Sequence, residues 1–209
     1  MLMIHGVTNG LNSFCTWVMR LAYLNVLWIL FSLAGLVAFG LMPATAAMFT
    51  VAREWAKGNT DAPVFSVFFR AFEKEWRASQ ILGLIVVTAA LFLFADIRIA
   101  AQMDQPVLVN VFLSISLIFA FVVLYVFPVF SHFDVKIREV LSISFFIAFS
   151  RPAVTLLMAA GAVGVLCLVL FHVTFLLFFS GSLLSLILTK LSFKAFRSMD
   201  QRQEKEKAA

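Results

Sequence analysis

The chain has 209 residues, of which 63% are hydrophobic and 13% charged, with 25 phenylalanines, nine glycines and five prolines. A soluble domain runs at roughly half apolar and a quarter charged because so much of it faces water, so a soluble globule is excluded, as is a disordered or collagen-like chain. A helical membrane protein remains, and its formal charge of +5 reads as the Lys/Arg excess of cytoplasmic loops rather than as nucleic-acid binding.

In chain order, residues 21–52 hold no charge at all between Arg20 and Arg53. A helix of that length would extend about 48 Å against about 30 Å of hydrocarbon, too long for one span and short for two. Gly40 and Pro43 supply the break, since proline opens a helix well and continues one poorly. The expectation is a span over 21–41 and a short return helix over 43–55. Ala44-Thr45-Ala46 imitates a signal-peptide cleavage site, but the apolar run before it exceeds a signal core of about 7–15 residues, so cleavage is not expected.

Residues 64–77, VFSVFFRAFEKEWR, place Phe65, Phe68, Phe69, Phe72 and Trp76 on one helical face. Arg70, Glu73, Lys74 and Arg77 share the other, with Glu73 and Arg77 spaced to pair. Such a helix lies flat among lipid headgroups, as an anchor or as a docking helix for a cytoplasmic partner. Spans follow over 79–95 and 107–131, joined by a polar turn around Asp96, Arg98, Asp104, Gln105 and Pro106. Residues 136–149 form a weaker amphipathic segment, with Ile137, Val140, Leu141 and Phe145 opposite Lys136, Arg138 and Glu139. A third uncharged block lies between Arg151 and Lys190. His172 and Ser180-Gly181-Ser182 suggest a bend, giving segments 153–171 and 175–189. The tail 194–209 is polar and expected to fray.

If each block is a hairpin, 15 of the 16 Lys and Arg residues fall on one face and Arg98 alone on the other. That asymmetry puts both termini in the cytoplasm. The fold class is thus all-α: one polytopic transmembrane bundle over residues 1–209, with five to six membrane segments in three hairpin-like blocks plus interfacial helices. A β-barrel is excluded because its strands alternate apolar and polar, whereas these runs are continuously apolar.

Cys15 and Cys167 lie far apart with no metal-ligand spacing, and His132-Phe133-Asp134 is too common a spacing to mean a metal. No HExxH, GxSxG or Walker loop occurs; His5 and His132 flank the membrane without catalytic partners, and His172, at the outer interface, reads as a headgroup-region histidine rather than a proton-coupled one. No enzyme activity, cofactor or metal is expected. Asn25 stands out among the intramembrane polar groups, because an amide is costly in lipid and bonds across helices. Ala160/Gly164 and Gly181/Ser185 read as close helix contacts. The helix start at Pro43-Ala44-Thr45 offers free N–H groups and a positive dipole end to an anionic or hydroxylated ligand.

The stretch LNVLWILFSLAGLVAFGLMPATAAMFTVAREWAKG resembles the signature of the YesL-like family of bacterial integral membrane proteins, at Asn25, Leu27, Trp28, Gly40, Pro43, Ala44, Thr45, Ala46, Ala47, Arg53, Trp55 and Gly58. FSVFFRAFEKEW, LYVFPVF at 124–130 and Arg151-Pro152 extend the resemblance over about residues 10–195, with Ala34 and Asn59 departing from it. The resemblance implies no reaction. It implies a multi-pass protein of the bacterial inner membrane, accessory to a carbohydrate-uptake system, with ABC-type sugar importer subunits as partners. The alternative is a small carrier or channel for a neutral solute, acting as a homo-oligomer because six short segments enclose little room.

Overall fold

The computed structural model describes residues 2–133 and 135–207, with side chains placed for 12–133, 135–172, 174–175 and 177–196. Expectations that touch His5, Asp134 and the tail side chains beyond Phe196 lie outside the described residues. The described chain is all helical: α1 (Leu2–Ala34), α2 (Leu41–Ala56), α3 (Val64–Lys74), α4 (Trp76–Gln102), α5 (Pro106–His132), α6 (Ile137–Ser150), α7 (Pro152–Phe171) and α8 (Val173–Lys207). Five segments are long and apolar enough to cross a membrane: Asn12–Ala34, Trp76–Gln102, Pro106–His132, Pro152–Phe171 and Leu177–Phe196. Their outer faces expose Leu91, Phe92, Phe94 and Leu170, an apolar surface suited to lipid and not to water. The protein is a multi-pass helical membrane protein.

Helix α2 sits at the centre. It packs against α1, α3, α4, α5 and α8 and buries Ala44, Ala46, Ala47, Ala52, Val51 and Trp55 among others. The alanines let neighbouring backbones approach closely. Sixteen residues make a helix of about 24 Å, short of a full hydrocarbon core of about 30 Å. Five surrounding helices shield a leg that could not stand in lipid alone.

The first break comes earlier than Gly40/Pro43 suggest. α1 ends at Ala34 rather than at 41, and residues 35–40 form a tight turn. A Cβ on Gly35 would lie 2.4 Å from the Gly40 Cα, and one on Gly40 would lie 2.4 Å from the Phe31 carbonyl oxygen. The turn thus closes backbone on backbone at two glycines. Leu36 and Val37 hold φ of 53° and 62°, strained for a non-glycine residue and most so for a β-branched one. The Gln80 amide on α4 donates to the Phe39 carbonyl and Met42 fills the space over Gly83, which pins the turn from outside. Pro43 falls in the first turn of α2, where its missing N–H costs nothing.

Other boundaries also move. The helix expected over 64–77 breaks at Glu75, so Trp76 opens α4 and Glu73 and Arg77 no longer share a helix. The bend in the third block is at His172, which is extended at φ −150° and ψ 123°. Ser180-Gly181-Ser182 continues α8 without a break, and α8 stays helical to Lys207 instead of fraying at 194. Ala160 and Gly164 face outward, and Gly161 is the close contact, with the Ile187 side chain 2.8 Å from where its Cβ would be. On α6, Val140 and Ile147 turn inward while Phe145 is exposed. The joint between α6 and α7 is tied to α5 by Tyr125, whose hydroxyl meets Thr155 Oγ1 at 3.0 Å. Thr155 Oγ1 also reaches the carbonyls of Ala148 (2.9 Å) and Arg151 (3.1 Å).

Candidate functional site

The residues singled out from the sequence separate into two groups. The first holds helices together. Asn25 is fully buried; its Nδ2 donates to the Leu177 carbonyl at 2.7 Å, and its Oδ1 accepts from the N–H groups of Gly181 (3.0 Å) and Ser182 (3.1 Å). One amide side chain therefore bonds the backbone of α8 as a peptide group would, which satisfies its polarity inside the membrane. Gly181 leaves room for it, since a Cβ there would come within 3.2 Å of Asn25 Oδ1.

Trp28 and Thr45 join α1 to α2. The indole N–H donates to Thr45 Oγ1 at 3.0 Å, and that hydroxyl donates to the Leu41 carbonyl at 2.7 Å. The start of α2 offers few donors to a ligand: Leu41 N–H bonds the Val37 carbonyl, Pro43 has none, and Ala44 N–H bonds the Gly40 carbonyl. Two of the N–H groups at the start of α2 are thus taken up within the hairpin, and Pro43 supplies none.

The second group gathers at one end of the bundle. Trp55 meets Trp17 edge to face at 5.6 Å, and Arg20 pairs with Asp61 at 3.2 Å, so the start of the first span and the end of α2 lie together. Gly58 closes α2 with φ +96°: its N–H bonds the Trp55 carbonyl and Asn59 N–H bonds the Glu54 carbonyl, a double closure that favours glycine. Lys190 of α8 lies over the Trp17 ring at 5.4 Å, a cation–π contact. Arg53 donates from one guanidinium nitrogen to the Ser131 carbonyl and from the other to Glu54 Oε1 at 3.3 Å.

Three adjoining clefts open at this end. The first, about 470 Å³, is lined by Arg53, Arg70, Lys74 and Glu75 and walled by Phe130–Phe133. The second, about 580 Å³, lies across His132 and carries Lys57, Lys190 and Lys194. The third, about 500 Å³, shares Phe130 and Phe133 and carries Lys136 and Arg138. His132 itself packs against the rings of Phe133, Phe193 and Phe196 at 4.6–4.9 Å. A further cleft between α4, α5 and α6, lined by Val86, Leu93, Phe119 and Val122, presents no polar surface. No cluster of three His, Cys, Asp or Glu suited to a metal occurs among the described residues.

In the sequence Arg70 and Lys74 share only the polar side of an interfacial helix. Their place in one cleft with Arg53, and that of Lys190 over Trp17, joins distant segments. Their four-residue spacing was the available signal.

Residues 21–97 match a family model described as "Protein of unknown function, DUF624". The chain is 96% identical over all 209 residues to Uncharacterized protein YesL of Bacillus subtilis (strain 168), covering the whole of both. It is 32% identical over 203 residues to Uncharacterized protein YteU of the same organism, covering 94% of this chain and 89% of that one. It is 30% identical over 197 residues to Uncharacterized protein YesV of that organism, covering 93% and 95%. No solved structure matches. The chain belongs to the YesL-like family.

Proposed function

We propose that this member of the YesL-like family is a non-enzymatic protein of the bacterial cell membrane, with both termini in the cytoplasm, that serves a carbohydrate-uptake system as an accessory subunit. The observation that carries this reading is the single basic end, where three adjoining clefts present cations from α2, α3, α5–α6 and α8. A concentration of Lys and Arg at one end marks the cytoplasmic side. It also offers electrostatic complementarity to acidic segments of an importer's ATPase or permease subunits. The link to sugar uptake comes from the family resemblance.

The carrier reading has less support. The intramembrane polar groups of Asn25, Trp28, Thr45, Tyr125 and Thr155 spend hydrogen bonds between or within helices, which leaves them poorly placed to line a path for a solute.

Affinity capture of the tagged full chain from native membranes in mild detergent tests the proposal. Permease or ATPase subunits of a sugar importer are the expected companions. Their recovery should fall about tenfold or more with Lys57→Glu/Lys190→Glu, because rim charge reversal opposes an acidic partner. Recovery of this chain alone would contradict the accessory role.

A further inference from the structure

The first of the basic clefts also has the makings of a ligand site in its own right. Arg53 enters it from α2, and Arg70 and Lys74 enter from α3. Arg70 and Lys74 stand four residues apart on one helix, where like charges repel, and Arg53 adds a third cation across the cleft. Among the described residues of the lining Glu75 is the one carboxylate, and it lies 3.5 Å from Lys74 Nζ. With Glu54 bonded to Arg53 as well, three cations stand against two carboxylates, and the described groups keep a net positive charge.

Arg53 is held in place before any ligand arrives. Its side chain is only 24% exposed, and its guanidinium is fixed by the Ser131 carbonyl at the end of α5 and by Glu54. Beyond those two bonds each terminal nitrogen keeps one N–H, and a guanidinium held in place offers such planar donors to the oxygens of a phosphate. Arg70 and Lys74 are exposed and line the same cleft from α3. Three cations from two helices suit a tetrahedral anion with several charged oxygens better than a flat carboxylate, whose two oxygens lie in one plane.

We infer that this cleft binds a phosphate group, carried by an anionic phospholipid headgroup or by a soluble phosphate ester. The two sources share the same chemistry at Arg53, Arg70 and Lys74. Phe65 and Phe69, 49% and 38% exposed on the same helix, give acyl chains an apolar surface to lie along when the phosphate belongs to a lipid.

Native mass spectrometry of the full chain in neutral detergent tests the site with three probes: dioleoylphosphatidylglycerol, dioleoylglycerol and glycerol phosphate. One saturable phosphatidylglycerol adduct is expected, with dioleoylglycerol binding at least about tenfold more weakly, since a lost charge-assisted contact is worth about that factor. Arg70→Gln/Lys74→Gln should weaken the adduct about tenfold or more. Both side chains are exposed, so the double variant keeps the fold. Arg53→Lys, which keeps the charge and loses the fork, should weaken it as well. Displacement of the lipid by glycerol phosphate identifies a soluble ester as an alternative occupant, and resistance to displacement identifies the headgroup. Equal binding by wild type and the Arg70/Lys74 variant, or binding of neither phosphate probe, overturns the site. Importer capture is tested at Lys57 and Lys190, which line the second cleft and not this one, so the two readings fail separately.

Discussion

Asn25→Leu is expected to lower the unfolding midpoint of the purified chain by about 4–8 °C, from a loss of about 2 kcal/mol in a protein of this size. The variant removes a donor from the Leu177 carbonyl and an acceptor from Gly181 and Ser182. Interhelical hydrogen bonds in membranes contribute about 0.6 kcal/mol on average and up to about 1.7, and a buried polar group left unmade costs about 1–3 kcal/mol. Part of that is recovered, because the freed N–H groups of α8 can turn back to its own carbonyls, so the sum settles near the lower bound. Asn25→Asp separates hydrogen bonding from packing. Protonated, the new side chain can still donate to the Leu177 carbonyl and accept from α8; ionised, it sets a charge against that carbonyl. Its stability should therefore rise as pH falls, while that of Asn25→Leu stays flat. Thermal unfolding followed by intrinsic tryptophan fluorescence reads both. A midpoint unchanged in Asn25→Leu would show that this tie contributes nothing.

Gly40→Val should have the larger effect, a loss above about 4 kcal/mol, beyond the range of ordinary substitutions. Its Cβ would sit 2.4 Å from the Phe31 carbonyl oxygen, 2.5 Å from that of Ser32 and 2.9 Å from the Ser32 Cα. All three are backbone atoms, so no side chain can swing away to make room. Relief requires opening the turn between α1 and α2, which also pulls Trp28 from Thr45 and the Phe39 carbonyl from Gln80. Little monodisperse protein should be recovered by size-exclusion chromatography. Gly164→Ala is the matched control: nothing lies within 4 Å of its added Cβ, and alanine is the better helix former by about 1 kcal/mol. A Gly40→Val chain as stable as wild type would refute the backbone-on-backbone closure.

Much of this arrangement was legible in the sequence because it follows from transfer energetics. Continuous uncharged runs must be helical in lipid, and an intramembrane amide such as Asn25 must find a partner. What that partner is was not legible, since Leu177 and Ser182 lie more than 150 residues away and no local spacing ties them to Asn25. The turn at 35–40 was misplaced for a different reason. Proline gives a strong local signal for a helix start, whereas the actual break depends on Gly35 and Gly40 meeting in space and on Leu36 and Val37 accepting left-handed conformations that their side chains disfavour. The Ser180–Ser182 cluster looked like a bend, but these small residues instead admit Asn25 and Met48 against an intact helix. The basic clefts emerged only when α3 was set against α2 and α5, because a charged helical face reads as solvated until something faces it.

Helix α2 is a short central leg returning the chain to the end from which the first span set out. Single-cysteine accessibility tests it most directly, after Cys15 and Cys167, both free and exposed, are replaced by serine. Cysteines introduced by Ser13→Cys, Lys57→Cys and Gln102→Cys occupy exposed positions and are labelled in sealed vesicles with a membrane-impermeant maleimide. The Ser13 and Lys57 positions should react from one side of the membrane and the Gln102 position from the other. Labelling at Lys57 from the same side as Gln102, and not from that of Ser13, would contradict it.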